Sequence, residues 1–143
     1  MTNPLSAFID KEVPFYDVDS YRIAWHGCYP KYFEDARCAL LDKIGYSYQQ
    51  MDKSDYAFPV IDLKVRYVKP MVFAQKVRVL ASMTEWQHRL VINYLITDID
   101  SGDKLTKAST TQVAVLMPDQ ITQFVSPQPL IERVEAFLKQ AAS

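Results

Sequence analysis

Pro30 and Gly45 bracket the segment that most limits how this chain can fold. Pro30 suits the first position of a helix, and Gly45 stands where a left-handed residue ends one. Between them Phe33, Ala36, Leu40 and Ile44 recur at helical spacing with Tyr29, and Tyr32 and Leu41 widen the stripe. Lys31, Glu34, Asp35, Asp42 and Lys43 fall off it. The spacing predicts a helix over Pro30–Ile44. A polar, turn-prone stretch follows from Tyr46 to Tyr56, with room for one short helical turn. Four strand-like runs come next. Val60–Val68 places Ile61, Leu63, Val65 and Tyr67 on one face. Lys76–Trp86 aligns Val77, Val79, Ala81 and Met83, and Arg89–Asp98 aligns Leu90, Ile92, Tyr94 and Ile96. Leu105–Met117 is rich in Val and Thr and suits a central strand. Gln87-His88 and Ser101-Gly102-Asp103 read as tight links, so the runs are expected to pair antiparallel, as a meander. A first strand over Lys11–Asp17 and a last helix over Pro129–Gln140 complete the order. The sheet must cover its apolar face, and one long helix is available to do so. The expected fold class is therefore α+β: a five-stranded antiparallel sheet wrapped around a long central helix, with a C-terminal helix, in a single domain over 1–143.

Composition narrows the function classes. Of 143 residues, 49% are hydrophobic and 13% aromatic, enough for a substantial core. Sixteen basic and 17 acidic residues leave a net charge of −1, so no basic footprint for nucleic acid is expected. No apolar run approaches the roughly 18 residues of a membrane span. The opening MTNPLSAFIDKEV lacks a basic start and an apolar stretch, and does not read as a signal peptide. The two cysteines, Cys28 and Cys38, fit a reducing compartment, and a cytoplasmic location is expected.

Chemistry-bearing residues crowd into Phe15–Arg37. Asp17 and Asp19 precede His26-Gly27-Cys28, and the helix follows at once. A helix N-terminus presents unpaired N–H groups and partial positive charge, which can hold the oxyanion of an attacked carbonyl. Gly27 would let that carbonyl approach the backbone. Asp17 or Asp19 could attack a thioester or activate a water, with His26 orienting the reactants. The plainer reading is an Asx turn and a helix cap. Cys28 opens a thiol reading, since a helix N-terminus lowers a cysteine pKa, although a small buried Cys is the commoner case. Asp17, Asp19, His26 and Cys28 form only a weak metal set, mixing hard and soft ligands without a spaced pair. No cofactor is called for.

The stretch resembles the hotdog-fold acyl-CoA thioesterases, specifically the 4-hydroxybenzoyl-CoA thioesterase-like group. The residues that carry the likeness are Tyr16-Asp17-Val18-Asp19, Ile23-Ala24-Trp25-His26-Gly27-Cys28-Tyr29, Tyr32-Phe33-Glu34-Asp35-Ala36-Arg37 and Tyr67-Val68-Lys69-Pro70. The resemblance implies hydrolysis of an acyl thioester carried on coenzyme A or on an acyl carrier protein. It implies that Asp19 is nucleophile or general base, that Asp17 is a supporting carboxylate, and that His26 and Gly27 belong to the catalytic set. Backbone N–H groups of His26, Gly27 or Cys28 would polarise the carbonyl. Trp25, Cys28 and Tyr29 would lie against the substrate. Trp86-Gln87-His88-Arg89 is similar to a segment that contacts coenzyme A phosphates, which nominates His88 and Arg89. The implied assembly is a homodimer, or a homotetramer, with sites between subunits.

One position departs from the pattern. The family has a glycine three residues after the second Asp, and this chain has Arg22. A positive φ there would cost Arg about 1 kcal/mol. The guanidinium could pair with Asp17 or Asp19, or could instead meet a carboxylate or phosphate of the substrate. Two other functions stay open from the residues: a non-catalytic acyl-binding module, and a hotdog 3-hydroxyacyl-thioester dehydratase using His26 with Asp19 or Glu34.

Overall fold

The computed structural model describes residues 3–142. In chain order it holds β1 (Ser6–Glu12), α1 (Tyr29–Ile44), α2 (Tyr48–Lys53), β2 (Tyr56–Ala57), β3 (Val60–Tyr67), β4 (Lys76–Glu85), β5 (Leu90–Asp98), β6 (Lys104–Gln112), β7 (Val115–Leu116), β8 (Ile121–Thr122) and α3 (Gln128–Ala142). The main sheet is antiparallel, with order β1-β4-β5-β6-β3. This is the sheet-wrapped helix of the hotdog fold.

α1 ends as its sequence demands. Gly45 has φ +81°, its N–H donates to the Asp42 carbonyl at 3.1 Å, and Tyr46 N–H donates to Leu41 at 3.0 Å. That pair of bonds is a Schellman cap, which requires the left-handed residue glycine supplies. α1 packs across β1 and β4. Its Phe33, Ala36, Leu40, Leu41 and Ile44 are buried with Val77, Val79, Ala81, Met83, Leu90, Ile92 and Ile96 of the sheet. Each large side chain so buried contributes about 2 kcal/mol.

Four expectations change. The first strand lies earlier, over Ser6–Glu12, and Phe15–Asp17 is a 3₁₀ turn after Pro14. The run from Leu105 breaks at Gln112, and Val115–Leu116 joins β2 and β8 in a separate three-stranded sheet. The four runs are no simple meander, because β3 pairs with β6 and not with its sequence neighbour β4. β3 thereby becomes an edge, and its expected buried face stays open. Ile61 is 60% exposed, Leu63 41% and Tyr67 43%. Alternation marks a face that can be covered; it does not say that this chain alone covers it.

Candidate active site

Phe15–Cys28 forms the lip of the domain beside the start of α1. Two short links tie it down. Ala24 N–H donates to Met71 at 2.8 Å, and Trp25 N–H donates to the Asp17 carbonyl at 3.1 Å. A 3₁₀ turn over His26–Cys28 runs straight into α1.

The two aspartates part company here. Asp17 is fully buried. Its Oδ2 accepts the Tyr32 hydroxyl at 2.9 Å, and its Oδ1 accepts Lys31 Nζ at 2.5 Å. Asp19 is exposed at the mouth of a three-residue loop. Its Oδ1 accepts Tyr21 N–H at 2.8 Å and Ile23 N–H at 3.3 Å. Its Oδ2 makes no hydrogen bond among the described residues, so one carboxylate oxygen is held and the other is available.

Arg22 closes that loop with φ +63°, the conformation a glycine favours. Its N–H donates to the Asp19 carbonyl at 2.9 Å, and its own carbonyl accepts Phe73 N–H at 3.0 Å. Of the two roles open to the guanidinium, the ion pair with Asp17 or Asp19 does not form. The guanidinium lies over the Phe73 ring instead, 5.8 Å from its centroid. Asp17 is already satisfied by Lys31 and Tyr32, and Asp19 Oδ1 by the loop backbone.

A cavity of about 210 Å³ is lined by Asp19, Ile23, Ala24, Trp25, His26, Tyr29, Tyr67 and Pro70. It gathers Asp19, Trp25, His26 and Tyr29 from the sequence-derived set. Tyr67 and Pro70 are additions. Their Tyr67-Val68-Lys69-Pro70 stretch stands out in the sequence, but nothing local ties it to the aspartates. The fold does so by stacking: His26 meets the Tyr67 ring edge-on at 5.1 Å, and Tyr29 meets it at 4.8 Å.

Other residues of that set lie elsewhere. Cys28 is fully buried, its N–H donates to Trp25 at 3.1 Å, and burial with the nearby Asp17 charge pushes its thiol up to about 11. It is therefore a core residue, neither a nucleophile nor a substrate-facing donor. Gly27 adjoins the cavity through its neighbour. A Cβ at Gly27 would come within 2.0 Å of Trp25 Cζ3, so the missing side chain makes room for the Trp25 ring. The N–H groups of His26 and Gly27 open the helical segment and precede any intrahelical acceptor. His88 and Arg89 occupy the β4–β5 hairpin, where Arg89 pairs with Glu85 at 3.3 Å. The register puts Leu90 beside Gln112 and Gln112 beside Val60, the end of β3 opposite Tyr67. The hairpin is thus about 20 Å from the cavity of its own chain. Among the described residues no three His, Cys, Asp or Glu side chains gather as a metal set.

Comparison with known proteins agrees with this fold. The family model of the thioesterase-like superfamily matches residues 13–136. A candidate acyl-CoA thioesterase, YneP of Bacillus subtilis strain 168, is 27% identical over 105 residues, covering 73% of this chain and 75% of that one. A DHNA-CoA thioesterase structure from Staphylococcus aureus superposes with TM-score 0.82 at 24% identity, covering 96% of this chain and 91% of that one. A mutant 4-hydroxybenzoyl-CoA thioesterase solved with 4-hydroxybenzoyl-CoA superposes with TM-score 0.77 at 16% identity, covering 90% and 97%. The two structural likenesses establish the fold.

Proposed function

The chain belongs to the thioesterase-like superfamily, and from that premise we propose that it hydrolyses acyl-CoA thioesters to the free acid and the thiol. The observation that carries this reading is the cavity whose wall includes both Asp19 and His26, the residue that opens the helical segment. In the reaction the oxygen that attacks the thioester carbonyl is Asp19 Oδ2 itself or a water that Asp19 deprotonates. The oxyanion that forms rests against the N–H groups of His26 and Gly27. The carbon–sulfur bond then breaks, and the thiolate leaves and takes a proton from solvent. Where Asp19 attacks directly, water hydrolyses the resulting anhydride and regenerates the carboxylate.

The working unit in this proposal is a homodimer, with a homotetramer built from it. β3 is an unpaired edge with exposed Val60, Ile61, Leu63 and Tyr67, continued by exposed Val68, a surface suited to a second copy. Antiparallel pairing of two β3 edges sets the Tyr67 end of one copy against the Val60 end of the other. The second copy's His88 and Arg89 then approach the cavity from which their own chain keeps them. That is the route by which they would meet coenzyme A phosphates. The acyl group is alternatively carried on an acyl carrier protein. Free Cys28 and Cys38 fit the proposed cytoplasmic location, and among the described residues no helix is long and apolar enough to cross a membrane.

Thiol release from a panel of acyl-CoA and acyl-carrier substrates tests the reading. Asp19→Asn should lower kcat by about a hundredfold or more. Full activity in that variant would remove Asp19 from the chemistry. Binding without cleavage would favour the acyl-binding module, and an enoyl product without thiol release would favour the dehydratase. Single turnover in ¹⁸O-water separates the two roles of Asp19, since only a nucleophile carries the label into the protein.

A further inference from the structure

Arg37 is a buried cation without a counter-ion among the described residues. Its side chain belongs to a residue only 7% exposed. Nε donates to the Tyr48 hydroxyl at 2.6 Å, and Nη1 donates to the Tyr94 hydroxyl at 3.2 Å. The Tyr94 hydroxyl in turn hydrogen-bonds with Thr110 Oγ1 at 2.7 Å. No carboxylate pairs with Arg37 among the described residues, and Nη2 makes no hydrogen bond there. Two neutral phenols orient a guanidinium but do not neutralise it. Burying such a charge is costly unless something of opposite sign joins it.

The space beside it is not random. A second cavity, about 310 Å³, is lined by Pro30, Lys31, Phe33, Glu34, Arg37, Val60, Leu63 and Thr110. Tyr29 or Pro30, Phe33 and Arg37 follow one another along a single stripe of α1. Tyr67 and Leu63 share the inner face of β3. The cavity at Asp19 and the cavity at Arg37 follow one another along the line where α1 faces β3, a groove crossed by the Tyr29–Tyr67 ring contact. From Tyr29 to Arg37 the groove runs about 12 Å. Its middle is apolar, with Phe33 and Leu63, and its far end is cationic. Glu34 lines the same stretch without pairing to Arg37, and Lys31 is already engaged by Asp17.

We propose that the groove selects acyl groups whose far end carries a carboxylate, and that Arg37 receives it. The substrate class is the monothioester of a dicarboxylic acid. The thioester carbonyl lies at His26 and Gly27, the apolar body lies along Phe33 and Leu63, and the free carboxylate meets Arg37 Nη2. Tyr48 and Tyr94 act as positioning residues that aim the guanidinium. This rests on the thioesterase reading for its chemistry, while Arg37 and its cavity stand apart from the catalytic residues.

The test compares two acyl-CoA series of equal chain length, one ending in a methyl group and one in a carboxylate. Binding is read by calorimetry on the Asp19→Asn protein, which needs no turnover, and kcat/KM is read on the wild type. The carboxylate series should be favoured by roughly tenfold or more at the matching length, the usual worth of a charge-assisted hydrogen bond. In Arg37→Met the ratio between the series should fall to about one, and Arg37→Lys should restore part of it. Tyr48→Phe, which leaves Arg37 in place, should narrow the ratio by a smaller factor. Equal binding of both series to the wild-type site overturns the proposal and leaves the thioesterase reading standing. Binding of neither series overturns both. If Arg37→Met instead dissociates the homodimer and wild type shows no preference, Arg37 meets a carboxylate of the second copy, and the proposal is wrong.

Discussion

The Tyr32 hydroxyl donates to Asp17 Oδ2 at 2.9 Å inside the core, and this bond separates two aspartates that stand one residue apart. Asp17, further held by Lys31, fixes the 3₁₀ turn from which Asp19 projects. Asp17→Asn should therefore act on stability first. It removes a buried charge that Lys31 and Tyr32 were arranged to meet. The expected loss is about 2 kcal/mol, moderated because Lys31 is half-exposed. Chemical denaturation of Asp17→Asn and Asp19→Asn side by side checks this. Asp19→Asn, at an exposed loop, should stay within about 1 kcal/mol of wild type. Equal losses in the two variants would contradict the division of labour.

Alkali should unfold this protein early. Burial, then the Asp17 contact, raises the Tyr32 phenol far above its ordinary value of 10.0. Burial raises Tyr29, Tyr46 and Tyr94 as well, and Cys28 from 9.0 to about 11. In each case the folded state keeps a proton that the unfolded chain releases. Above the unfolded values, the unfolded chain binds fewer protons than the folded one, so stability falls as pH rises. The decline should begin near pH 9 with Cys28 and steepen above pH 10 with the tyrosines. Urea midpoints from pH 7 to 10.5 read it directly. Tyr32→Phe should start lower and decline less steeply. A flat wild-type profile to pH 10.5 would refute the account.

Much of this is legible in the sequence for local reasons. The α1 stripe, Gly45 and the alternation of β4 and β5 each depend on neighbours a few residues away. The lip from Phe15 to Cys28 is legible as a cluster. What stays hidden depends on distant pairing. No local pattern states that β3 pairs with β6 and so lies at an edge. Alternation in β3 matches that of β4, yet one face is covered and the other open. Tyr67 is some 40 residues from His26, and only the sheet brings their rings together. Arg37 is visible in the sequence only as the end of the Tyr32–Arg37 stretch, because its phenol partners come from α2 and β5. Cys28 misleads for the converse reason. Its position before α1 fits a reactive thiol, but the turn points it into the core.

Arg22 should be a point of stored strain. It holds φ +63° in a loop that glycine would close without a Cβ penalty. Arg22→Gly should raise stability by up to about 1 kcal/mol, less the extra chain entropy of glycine and the attraction between the guanidinium and the Phe73 ring. The urea midpoint should rise at unchanged slope. The same variant reports on substrate. With the guanidinium lying over Phe73, KM for a plain acyl-CoA should hold within about threefold. A large rise in KM would mean that Arg22 swings from Phe73 to meet the coenzyme.

Gly27 and Trp25 should behave as one unit. A Cβ at Gly27 would lie 2.0 Å from Trp25 Cζ3 and 2.2 Å from Cη2, closer than atoms can approach. The ring must move, and it has room, because Trp25 is 53% exposed. Gly27→Ala should therefore cost little stability, within about 1 kcal/mol, while shifting a wall of the cavity at Asp19. The kcat/KM should fall about tenfold or more, since small misplacements at a reacting centre are expensive. Fluorescence of Trp25, read in a Trp86→Phe background, should report the ring's displacement. Trp25→Ala removes the clash, so adding Gly27→Ala to it should cost far less than Gly27→Ala costs alone. A coupling of about 1 kcal/mol or more in kcat/KM is expected from the cycle. Additive effects would mean that Gly27 serves the substrate directly, by leaving its backbone open to the thioester carbonyl, and that the Trp25 ring only happens to lie above it.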